Sequence, residues 1–292
     1  MQLALLLERD GVRALLTPDA TQNGTRARRA FAPGASPARQ WLDAMELAGE
    51  LCARAATETR ELERVVALFP SPLSREGVVL DDPRFRAWRG YDLPRGLREH
   101  LGAPNVAALS AVEAAARFQT RFGALQNTAS WLFVSLGERI ESWAQVNGTA
   151  LRDCHIAGIV IERDGALDEW GRRGTLAAYC SGEELRARAQ SYGLGHLAPR
   201  ELFGLGTANF AAQSLGDDFC ARLAQGLSSA VASLGEVSVC LGGPIALSAW
   251  PSLWPRLEPF CRASWPPRVP FAVLPATGDE DSALWGALSS AE

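Results

Sequence analysis

A chain of 292 residues is long enough for two domains of ordinary size, and its 47% hydrophobic and 21% charged content describes a globular protein. The formal charge of −4 offers no basic face to nucleic acid or an anionic membrane, and no run of about 18 apolar residues could span a bilayer. All 29 basic residues are Arg, so Lys Schiff-base chemistry and a P-loop Lys are both excluded.

The six cysteines (Cys52, Cys154, Cys180, Cys220, Cys240, Cys261) form no C-x-x-C pair and are expected to be buried thiols. The apolar run at residues 3–7 is too short for a signal-peptide core, so a cytoplasmic location is expected.

In chain order, residues 3–7 predict a buried strand, Asp10-Gly11 a hairpin turn and residues 12–16 a second strand. Residues 21–37 read as a loop with room for a third strand. Trp41, Met45, Ala48, Leu51 and Cys52 recur at helical spacing within a helix over 37–60. A strand at 65–69 stops at Pro70, a helix covers 93–101, a strand 105–109 and an Ala-rich helix 111–122. The second half repeats the theme, with strands at 131–136, 144–146, 156–162, 237–241 and 271–274. Its helices fall at 174–190, 210–234 and 281–291. Two successive α/β halves predict an N-terminal lobe of residues 1–112 plus 280–292 and a C-terminal lobe of 113–279.

Four stretches carry a family resemblance. Residues 68–79, LFPSPLSREGVV, are similar to a G-x-P-G-P-V-D…G-V-V segment. Trp88, Gly90, Asp92 and Leu93, followed by Leu101, Gly102 and Pro104, match W-x-G-x-D-L…L-G-x-P. Residues 171–182, GRRGTLAAYCSG, resemble G-x-x-G-C-L-E-x-Y-x-S-G. Leu241-Gly242-Gly243, together with GDEDSALWGA at 278–287, resembles L-G-G…G-D-D-A-G-L-L-G-A-A. In this order and spacing the chain resembles the ROK family of repressors, open reading frames and kinases. The resemblance implies a two-lobed actin-like ATPase (ribonuclease H-like) fold of the sugar kinase type.

The resemblance also implies where phosphoryl-transfer chemistry should sit, and those positions have changed. The catalytic Asp of the family falls on Ala111, which cannot accept a proton, and Ser110 stands at the sugar-binding Asn. Glu113, two residues on, lies about 200° around the helix from Ala111 and is expected to be an exposed helix carboxylate. In the first phosphate loop the metal-side Asp is Leu6, and Gly-Gly-Thr is Glu8-Arg9-Asp10. In the second, Gly137 alone is kept, and Glu138, Glu141 and Trp143 replace small residues. The zinc positions hold Asp168, Trp170 and Thr175, so no metal is expected and the loop should be held by packing, with Trp170 buried. Gly242 and Gly243 match the adenosine-binding turn, and His155 lies near the family's sugar- and metal-contacting Glu and His.

These positions predict a protein without sugar kinase activity that binds a small ligand or partner in the cleft between its lobes, around Ser110, Glu113, Glu138, Glu141 and His155. No cofactor is expected on that reading. The alternatives are a divergent ATP- and Mg²⁺-dependent sugar kinase of the glucokinase or N-acetylhexosamine kinase type, or an enzyme of another reaction on the same scaffold. A repressor is not expected, because the first kinase-like strand begins at Leu3 with no helix-turn-helix before it. A homodimer is expected from the resemblance and from nine Trp, a residue enriched at interfaces.

Overall fold

The computed structural model describes residues 1–19, 23–152, 154–205 and 208–289. The chain divides into two compact units, Met1–Arg121 with Gly278–Glu292, and Phe122–Thr277.

In the first unit, β1 (Gln2–Leu7), β2 (Gly11–Thr17), β3 (Thr25–Ala30), β4 (Arg64–Phe69) and β5 (Val106–Ser110) form one sheet in the order β3-β2-β1-β4-β5. β1 pairs antiparallel with β2 and parallel with β4. Its LALLL run is buried on both faces, which is why it reads as a continuous apolar stretch and not as an alternating one. The edge strand β3 carries Arg26, Arg28 and Arg29, charges that discourage pairing with a foreign strand.

Helix α1 (Pro37–Arg54) starts on a Ser36 cap, with Pro37 in its first turn, and ends six residues short of the predicted helix. Ala56, at φ 51, lies in the left-handed region that an α-helix cannot continue through. Asp92 caps α2 (Leu93–Leu101) by accepting from Arg95 N at 2.9 Å. The Trp88…Tyr91 motif is an aromatic core. Trp88 lies 5.2 Å from Tyr91 and 5.1 Å from Phe69, and its Nε1 donates to Gln40 Oε1.

The second unit repeats this plan. β6 (Trp131–Leu136), β7 (Ile140–Val146), β8 (Thr149–Leu151), β9 (Ser238–Gly242) and β10 (Val273–Pro275) lie in the order β10-β9-β6-β7-β8. Two antiparallel ladders run through β6, β7 and β8, and two parallel ones through β6, β9 and β10. Strand for strand this matches the first sheet, so the β1–β2 turn and the β6–β7 turn occupy equivalent places.

Between β8 and β9 come α4 (Ala177–Cys180), α5 (Gly182–Ser191), α6 (Pro199–Gly204) and α7 (Phe210–Leu234). The strand expected at 156–162 is instead a 3₁₀ turn at Ile156–Gly158 followed by a loop, pinned where Val160 bridges Thr175. Helix α8 (Gly243–Ser264) was not predicted, because Pro251, Pro255 and Pro259 interrupt its sequence. These prolines recur every fourth residue on the exposed side, while Ala249, Leu253, Leu257 and Cys261 form the buried stripe that packs with α7.

Six of the nine Trp (Trp41, Trp88, Trp131, Trp143, Trp265 and Trp285) are buried within the units, so Trp content does not mark an interface. Five of the six cysteines are buried as free thiols. Burial pushes Cys220, Cys240 and Cys261 up to about 12, which keeps them un-ionised at neutral pH. No helix among the described residues is long and apolar enough to cross a membrane.

The last helix, α9 (Ser282–Leu288), packs on β1, β2 and β4 of the first unit. Residues 290 and 291 of the predicted helix lie outside the described residues, as do 21 and 22 of the predicted loop. Gly286 allows α9 to approach α3 (Ala111–Phe122), since a Cβ there would overlap the Ala114 carbonyl oxygen and crowd the Phe118 amide. Gly286→Ala is therefore expected to cost about 1–3 kcal/mol through overpacking. Urea unfolding should show a lowered midpoint with an unchanged m value.

Candidate functional site

In the first unit the predicted residues gather where β5 runs into α3. Ser110 ends the strand and caps the helix, its Oγ accepting from Glu113 N at 3.2 Å. Ala111 is the first residue of α3 and presents only a methyl group. Glu113 is not the exposed carboxylate expected. It is 5% exposed and its Oε1 accepts from Arg117 Nη2 at 2.7 Å. Its charge is committed to an i,i+4 pair inside the unit.

The turn between β1 and β2 shows a second commitment. Leu6 is a core residue, 4% exposed. Glu8 is clamped bidentately by Arg13, at 3.0 Å from Nε and 2.7 Å from Nη2. Arg13 also reaches the Glu280 carbonyl at 2.5 Å and the Asp281 carboxylate at 3.1 Å, tying this turn to the start of α9. Burial alone would lower the Arg13 pKa, but the hydrogen bonds and charges of Glu8, with Asp281 and Glu280, more than offset it and raise it. The sequence reading did not pair Arg13 with Glu8, although a Glu and an Arg flanking a tight turn are a signal for such a pair.

In the second unit the equivalent turn is Gly137–Arg139. β7 begins at Ile140, earlier than predicted, so Glu141 and Trp143 are strand residues, paired with Ser135 and Phe133. The Gly137 carbonyl accepts from Gly182 N at 2.8 Å and the Glu138 carbonyl from Glu183 N at 3.3 Å. The turn thereby receives the first amides of α5. Gly243, at φ 82, begins α8 where a Cβ would sit 2.6 Å from Ser135 Oγ and 2.7 Å from the Leu136 backbone. Glycine is required there for the start of α8 to pack against the end of β6.

Gly137 and Pro244, next to Gly242 and Gly243, both face one cavity of about 230 Å³. Its wall is apolar, from Leu185, Ala189, Leu202 and Ile245, and its charged lining residues are Glu138 and Arg186. The cavity was not legible in sequence, because segments far apart in the chain build it. His155 is exposed, one residue before the 3₁₀ turn, and its neighbour Cys154 is held through its carbonyl by the Ser142 hydroxyl. The two lie on no strand or helix, and His155 lines no part of the cavity.

The loop at the implied zinc positions is held by Asp168. Its side chain, 1% exposed, accepts from Trp170 N and Arg172 N at 2.9 Å, from Arg172 Nε at 2.9 Å and Nη2 at 2.8 Å, and from Thr175 Oγ1 at 2.8 Å. With both oxygens engaged by protein donors, and Trp170 and Thr175 at the other positions, the set does not fit a tetrahedral zinc ion. Among the described residues no group of three His, Cys, Asp or Glu side chains could hold a metal. Trp170, expected to be buried, is 39% exposed and lies against Arg139, whose guanidinium carbon is 6.0 Å from the ring centroid.

Two sheets of the same 3-2-1-4-5 order, with the last helix returned to the first unit, define the actin-like ATPase fold. The chain belongs to the ROK family, whose model matches residues 14–291. The ROK hexokinase from Thermus thermophilus is similar at 22% identity and TM-score 0.80, covering 98% of this chain and 96% of that one. A ROK family glucokinase from Streptomyces griseus, in complex with glucose and AMPPNP, is similar at 17% identity and TM-score 0.76, with coverage of 98% and 97%. A ROK family transcriptional regulator homologous to the E. coli MLC protein is similar at 14% identity and TM-score 0.83, covering 98% of this chain and 76% of that one. No curated protein sequence matches the chain.

Asp168 gives a direct test. Burial, the largest effect, pushes its carboxyl up, but the Arg172 amide, Thr175 and the Arg172 side chain together hold it below the ordinary carboxylate range. A depressed folded-state pKa contributes stability above the unfolded value of about 4, and that contribution is lost as pH falls through the folded value. Asp168→Ala should cost about 2–4 kcal/mol at pH 7, because buried donors lose their acceptor. Asp168→Asn should cost less, and its deficit relative to wild type should shrink between about pH 5 and about pH 2 in urea unfolding.

Proposed function

We propose that this ROK protein does not phosphorylate sugars, uses neither ATP–Mg²⁺ nor zinc, and acts by binding a small ligand. The observation that carries the reading is the state of the phosphoryl-transfer positions. Ala111 offers no base at the start of α3, and the nearest carboxylate on that helix, Glu113, is paired with Arg117. The β1–β2 turn presents Glu8 locked on Arg13 where a phosphate would need donors, and Leu6 is buried where a metal would need oxygen. Loss of a general base alone costs about 10²–10⁴ in rate. Filling the phosphate loop with an anion adds repulsion of roughly 4 kcal/mol for unit charges 4 Å apart at an effective dielectric near 20.

A second reading, a divergent sugar kinase, draws on the hexokinase and glucokinase among the similar structures. A coupled ADP-release assay with Mg²⁺ and glucose, mannose, N-acetylglucosamine or N-acetylmannosamine separates the two. The expected turnover lies below about 0.1 s⁻¹, well under the kinase range of about 1–100 s⁻¹. Ala111→Asp alone should not raise it, because Leu6 and the Glu8–Arg13 clamp remain. Turnover above that level in the unaltered protein would establish the kinase reading.

A further inference from the structure

We propose that the cavity of the second unit binds a small monocarboxylate with a flat apolar body, gripped by Arg186. The inference rests on the ligand-binding reading but not on loss of phosphoryl transfer. Leu185, Ala189, Leu202 and Ile245, each at most 4% exposed, supply an apolar floor. Ala189 and Leu185 come from α5, Leu202 from α6 and Ile245 from α8, so the wall rests on three helices. An apolar cavity of about 150 Å³ takes benzene. At about 230 Å³ this one has room for a bicyclic ring.

The rim sets the charge. Glu138 and Arg186 are the only charged residues of the lining. Glu138 has an interaction partner of its own. Arg186 is exposed on α5 and makes no ion pair or side-chain hydrogen bond among the described residues, whereas Arg188, one turn-face away, pairs with Asp218 at 2.7 Å. An uncommitted guanidinium beside an apolar hollow matches a carboxylate through two parallel N–H donors. A phosphate ester, with about 1.5–2 negative charges, would set more charge against Glu138 than one cation balances. Ser248 on the rim donates its hydroxyl to the Pro244 carbonyl at 2.6 Å, leaving its lone pairs as acceptors for a ring N–H.

The test is calorimetric titration of the full chain with indole-3-acetate, its neutral isostere indole-3-acetamide, and adenosine 5′-monophosphate, without Mg²⁺ or sugar. Turnover is read separately in the ADP-release assay, so a protein that binds neither acid nor nucleotide here fails this proposal alone, whereas tighter nucleotide binding together with turnover fails the non-kinase reading as well. The acid should bind with a Kd of about 1 mM or tighter, and at least about tenfold more tightly than the amide. Arg186→Gln, a substitution at an exposed helix position, should erase that preference, and Arg186→Lys should keep part of it. Ala189→Leu should weaken acid and amide alike by filling the floor. No binding of the acid, equal binding of acid and amide, tighter binding of the nucleotide, or an unchanged preference in Arg186→Gln would each overturn the proposal.

Discussion

The return of α9 to the first sheet is the contact on which the architecture depends. Leu284, Trp285 and Leu288 are buried against that sheet although they lie more than 150 residues beyond α3 in the chain. The helix fits only because Gly286 lets its backbone meet that of α3, and it is oriented by Arg13 reaching Asp281 and the Glu280 carbonyl. The first unit is therefore complete only with the segment that follows the second in the chain. β1 and α9 belong to one compact unit, and the second unit is in sequence a long insertion between α3 and α9.

Arg13 also serves two structural tasks at once. A turn that could receive an anionic ligand holds an anion of its own, and the cation that stabilises this anion is the one that secures α9. The Asp168 loop follows the same logic. Five contacts from three residues converge on one carboxylate, so a single buried anion organises a loop that a metal could otherwise cross-link. In both places a local charge-assisted network holds the backbone of a loop or turn.

Much of the fold was legible in the sequence, for physical reasons that differ by element. β1 and β4 are buried on both faces and read as unbroken apolar runs, and α3 was placed to the residue by its Ala-rich pattern between a strand and a turn. The segment 156–162 misled because Ile156, Ile159 and Ile161 look like a half-buried strand. Only Thr175, distant in sequence, shows that they belong to a pinned loop. For Glu113 the i,i+4 spacing to Arg117 was present in the sequence, but the burial of that face of α3 is a tertiary fact. Asp168 was noticed as a lost ligand and not as a gained acceptor, since two of its five donors are backbone amides, which carry no sequence signature, and the other three converge on it only once the loop has closed.

Helix α8 carries a consequence for how the second unit assembles. With prolines at 251, 255 and 259, the carbonyls of Leu247, Pro251 and Pro255 have no amide four residues ahead to receive, and each interior proline disfavours helix by about 3 kcal/mol. As an isolated peptide the segment would be coil. It is helical because Ala249, Leu253, Leu257 and Cys261 form a stripe that α7 covers. Helix α7, 25 residues long with no proline, must therefore act as the template, and α8 can take shape only by condensing onto it.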